Sequence, residues 1–143
     1  MQVVNKQVKI GEIHNKTHIP ISFHIDSTYN NLIILFSYSP QLSVDHIAKK
    51  QLMELFEKEQ LDVDSVEDYL PVENFLSLTL FKEEHFIGTY HNKSHRQKIF
   101  INNENASHGF NKTVVDAGQY ELIINCHSVA SEEIIINLIV EVN

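Results

Sequence analysis

A chain of 143 residues with 43% hydrophobic side chains has the size and apolar content of one domain around a single core. Its formal charge of -8 leaves no broad basic face for phosphate-driven nucleic-acid binding, and its one cysteine, Cys126, excludes an internal disulfide. No run is long and apolar enough for a bilayer span, and the polar start from Met1 to Lys6 lacks the apolar centre of a signal peptide, so cytoplasmic residence is expected.

Val3 to Ile13 mixes polar and apolar residues, with a turn-permitting Gly11, and predicts an edge strand. Ile19, Ile21, Phe23 and Ile25 then share one face while Ser22 and His24 take the other, a period of two that a helix cannot produce. Pro20 removes a backbone donor, so this strand starts there or lies at an edge. After turn residues from Asp26 to Asn31, the nearly continuous apolar run Leu32 to Tyr38 predicts a strand buried on both faces or set in a sandwich core. From Ser43 to Glu59 the period changes: Val44, Ile47, Ala48, Leu52, Leu55 and Phe56 recur at three and four, which predicts one helix capped by Ser43 or Asp45. A shorter helical turn is expected at about 64–70, before Pro71.

Beyond Pro71 period two returns in Leu76, Leu78 and Leu80, in Phe86 to Tyr90 and in Gln97 to Ile101. A turn at Asp116-Ala117-Gly118 leads into the strand on which the chain is centred, with Tyr120, Leu122 and Ile124 facing one way. Glu132 to Val142 is too apolar for a solvent-facing edge, so it is either central in a sheet or pairs with another chain. Short strands with few helices between them predict a mainly β fold. The expected architecture is an antiparallel β-sandwich or jelly roll over 1–143, with one inserted helix at about 43–59.

Four stretches in the second half occur in a telling order: Phe75 to Phe81, Gly88-Thr89-Tyr90-His91, Ala106-Ser107-His108-Gly109-Phe110, and Gly118 to Val129. With Phe36-Ser37-Tyr38 ahead of them, the chain from about Ile19 onward resembles the β-sandwich domain that precedes the PHP-type metallohydrolase module in bacterial CehA/McbA-like proteins. That domain is related in architecture to pre-peptidase C-terminal domains. The resemblance implies a bacterial accessory module of a metal-dependent hydrolase, with a histidine at the position of His127. It departs at Lys82-Glu83-Glu84-His85, where the family has an Asp-Pro-x-Gly turn, at His108 in place of Pro, and at Tyr120 in place of Trp. The hydrolase ligands are not in this chain, so no catalytic residue carries over, and a non-catalytic binding or interaction module, not an enzyme, is expected.

Nine histidines invite a metal reading, yet loop histidines at these spacings rarely assemble a fixed third ligand, and neither a metal nor a cofactor is expected. The polar turns of a sandwich gather at its ends, which predicts a shallow site of His91, His95, Arg96, His108 and His127. Such a site suits a small anionic or hydroxylated ligand. Cys126 reads as a core residue, and the acidic run from Asp62 to Glu73 as a solvated rim. The competing reading is a small metal-binding hydrolytic or sensing protein built on the histidines. A protein partner or homo-oligomer is the expected company, without nucleic acid or membrane.

Overall fold

The computed structural model describes residues 1–143. Two four-stranded antiparallel sheets pack face to face. Sheet A has the order β1 (Gln2–Ile10), β8 (Ile134–Val142), β3 (Leu32–Ser39), β6 (Arg96–Ile101); sheet B has β2 (Thr17–Ile25), β7 (Gly118–Ser128), β4 (Phe75–Lys82), β5 (His85–Tyr90). One helix, α1 (Asp45–Lys58), and a 3-10 turn at Val66–Tyr69 form the excursion between β3 and β4.

The alternation in sequence is the alternation in space. Tyr120, Leu122 and Ile124 of β7 point inward beside Leu76, Leu78 and Leu80 of β4, and all six are at most 1% exposed. They belong to one cluster of 26 buried residues between the sheets, which holds the fold together by area removed from water. Phe23 stacks on Tyr120 at 5.3 Å, and burial pushes the Tyr120 phenol up to about 12, so it stays a neutral donor to the Asp116 carbonyl at 2.9 Å. Pro20 does lie in an edge strand, β2, and β1 is the edge of sheet A. β8 is central, between β1 and β3, which satisfies its apolar character inside the chain itself.

The helix is shorter than the Ser43 to Glu59 pattern and is not capped as expected. Its N-cap is Val44, without a side-chain cap, because the Ser43 hydroxyl donates to the Val72 carbonyl at 2.5 Å. Only Ile47 and Ala48 are buried along it, in a satellite cluster with Ala130 from the β7–β8 connection. Beside that cluster the buried Asn74 side chain ties three segments: its amide donates to Pro40 O and Ser131 Oγ, and its oxygen accepts from Ala130 N.

The connection from β6 to β7 closes one side of the sandwich. Ser107 N donates to Phe100 O on β6 of sheet A, while Thr89 N and Asn111 N exchange bonds with Gly109 O and Ile87 O along β5 of sheet B. This seam requires two glycines. A Cβ on Gly88 would stand 2.4 Å from Gly109 O, and Gly109 has φ 87, with its own Cβ position 2.5 Å from Thr89 O.

Candidate ligand-binding face

Residues that alternate with the core of sheet B lie on its outer side, and at one end they are polar in every strand. His18 on β2 aligns with Asn125 on β7, and Asn125 with Ser77 on β4. Thr79 on β4 aligns with Thr89 on β5. On a plain solvated face these side chains would bond to water; here they bond to one another.

Asn125 is the centre. Its Oδ1 accepts from His18 Nδ1 at 2.9 Å, and its Nδ2 donates to Ser77 Oγ at 3.2 Å and Thr79 Oγ1 at 2.9 Å. Thr79 Oγ1 donates to Thr89 Oγ1 at 2.9 Å, and Thr89 donates to the Leu78 carbonyl at 3.0 Å. Ser77 Oγ lies 2.7 Å from His127 Nε2. Ser77 is buried and its hydroxyl meets no acceptor other than Nε2, so its proton goes there, which places the His127 proton on Nδ1. The run of donors therefore has one direction, from His18 inward and out again to His127.

Over this lattice stand three rings. Phe75 stacks on His127 at 4.6 Å and 23°, and His91 meets His127 at 4.6 Å and 61° and Phe75 at 6.0 Å and 82°. Burial, then the neighbouring His91, Lys16 and His18, hold the His127 imidazole below the ordinary histidine value of 6.5. At neutral pH it is an uncharged ring with one N–H to give.

Of the five residues expected in the site, the structure brings His91 and His127 together. His95 and Arg96 have crossed to the other sheet: His95 O accepts from Tyr38 N at 3.0 Å, and Arg96 pairs with Ser37 at the start of β6. His108 packs edge-on against Tyr90 at 4.8 Å. Sequence reasoning missed His18, Ser77, Thr79, Thr89 and Asn125. The signal available was positional, since all but Thr89 occupy strand positions that alternate with inward apolar ones.

The opposite end of the same face differs. A groove of about 590 Å3 is lined there by Glu83, Glu84 and Glu121 with Phe81 and Ile123. Glu83 and Glu84 form the tight β4–β5 turn at φ 47 and 70, and Glu83 Oε1 accepts from Gln119 N at 2.7 Å. Ile123, with Pro20 paired to it, separates the two ends.

Chemically, the histidine end can donate and accept hydrogen bonds from fixed positions and offers ring faces. Ser77, which meets the His127 imidazole, is 0% exposed beneath it. Cys126 points into the core, and burial pushes its thiol up. No three His, Cys, Asp or Glu side chains are grouped to hold a metal ion. No helix is long and apolar enough to cross a membrane.

No protein-family profile matches the chain, and no curated protein matches it significantly. Among solved structures it is similar to the crystal structure of GEBA250068378 from Sulfurospirillum deleyianum, over 98% of both chains, at 12% identity and a TM-score of 0.39. A likeness at that level carries no functional argument.

Proposed function

We propose that the protein is a non-catalytic β-sandwich binding module, cytoplasmic and bacterial, accessory to a metal-dependent hydrolase, with the solvent side of sheet B as its ligand face. The observation that carries the ligand face is the hydrogen-bonded lattice from His18 through Asn125 and Ser77 to His127. Holding polar side chains in fixed rotamers before a ligand arrives lowers the ordering cost of binding. The accessory role rests on the order of sequence motifs from Phe75 to Val129. A neutral His127 favours a hydroxylated ligand over an anionic one at pH 7, with Lys16 nearby to accept negative charge.

Histidine ring signals followed by NMR during titration with simple sugars, phosphate and zinc test this reading. His91 and His127 should shift together and saturate with a sugar or phosphate, Asn125→Ala should abolish the response, and His95 should stay silent. Rings that ignore both ligands would sink it. Stoichiometric zinc at His91 and His127 would replace it with a metal-binding hydrolytic or sensing protein.

A further inference from the structure

The net charge is concentrated in one place. Between Glu54 and Glu73 the chain carries eight acidic residues against the single base Lys58, a net -7 of the total -8. The same segment leaves apolar side chains uncovered: Met53, Leu61 and Tyr69 are 54%, 57% and 53% exposed. Between α1 and the chain from Leu61 to Glu67 runs an open groove of about 850 Å3, with Met53, Phe56, Leu61, Val63 and Val66 in its lining. Five carboxylates line it against Lys49 and Lys50, and Lys49 is already paired with Glu67 at 2.5 Å.

We infer that this groove docks a cationic amphipathic helix of a partner protein, with aliphatic side chains on one face and lysine or arginine flanking them. Apolar anchors would fill the groove, and the carboxylates would draw in the flanking cations and raise the association rate. An extended peptide gains its affinity from a sheet edge, and the groove is walled by a helix and a loop rather than by any strand of either sheet. A helix arrives with its backbone already satisfied. A second copy is the weaker fit: the chain's own apolar and basic surface, Leu35 and Ile139 beside Arg96 and Lys98, is the face of sheet A, which is too broad to enter a groove. Anionic lipid would be repelled. This surface is separate from the histidine face, so each reading stands or falls alone.

The test is fluorescence anisotropy with a labelled synthetic leucine–lysine peptide bearing leucines at i, i+3, i+4 and i+7, beside a peptide of equal composition with the leucines scrambled. The patterned peptide should bind saturably and more weakly as salt rises, and the scrambled one at least about tenfold less tightly. Leu61→Ser with Met53→Ser should weaken the patterned peptide at least about tenfold with the circular dichroism unchanged, while His127→Gln leaves it alone. Asp62→Lys with Asp64→Lys should lose that peptide and gain a leucine–glutamate one. Equal binding of the scrambled peptide, or indifference to Leu61→Ser with Met53→Ser, overturns the inference. So does a dimer that forms without peptide and is lost in Leu61→Ser, which would give the groove to a second copy.

Discussion

The outer face of sheet B and the excursion through α1 are both polar, and they use polarity in opposite ways. On the sheet, Asn125 spends three hydrogen bonds on neighbouring side chains and is 8% exposed. On the excursion, Glu54, Asp62 and Asp64 face water, and the helix beneath them buries two residues. A polar group that is desolvated must be paired, so the sheet face is fixed in one arrangement, whereas a solvated carboxylate can move to meet whatever approaches. The first suits the proposed ligand of definite shape; the second suits the proposed partner recognised by charge and apolar contact.

The largest way to break the contrast is from below. Leu122→Ala, under the lattice, should lower unfolding free energy by about 2–5 kcal/mol in urea titrations, because the packed sheets cannot collapse onto the cavity. Next comes the lattice itself: Asn125→Ala strands His18, Ser77 and Thr79 at once and should cost about 1–3 kcal/mol. The matched change on the excursion, Asp62→Asn with Asp64→Asn, should leave the urea midpoint where it was. Hydrogen exchange sharpens the same difference: α1 amides should exchange well before those of β7, which has a paired strand on each side.

A smaller effect is expected from pH. The folded value of His127 lies below 6.5, so between the two values the unfolded chain binds more protons than the folded one. Stability should be full above about pH 6.5, decline as pH falls toward the folded value, and level off below it. In thermal melts His127→Gln should flatten that decline relative to the parent protein. The smallest effect is at the acidic end of the face, where Glu84 sits at φ 70; Glu84→Gly should raise stability, by at most about 1 kcal/mol.

Strands were legible because period two in Ile21, Phe23 and Ile25 has no helical explanation, while Pro20 left open a strand start or an edge, and it is the edge. The apolar run of β8 ruled out a solvent-facing edge and left a central strand or pairing with another chain, and only the fold decided for the central place. The site was only half legible. His91 and His95 are four apart in sequence, yet the chain crosses from one sheet to the other between them, and nothing local marks the crossing. A hydrogen bond from His18 to Asn125 spans 107 positions, and a single Asn within a strand carries no local signal of the partners it will meet. Ser43 was misread because its hydroxyl could serve either the helix or the Val72 carbonyl, a choice made by tertiary contact.

The seam at Ala106 to Asn111 has a consequence for handling the protein. β5 and β6 are the outer strands of different sheets, and this one segment satisfies backbone groups of both. If it peels away, two strands lose their cover in a single event, on the same side of the molecule, and each becomes a template for another chain. Shelf life in concentrated solution would then follow how often a loop opens rather than how stable the core is, and a protein that melts high could still gel.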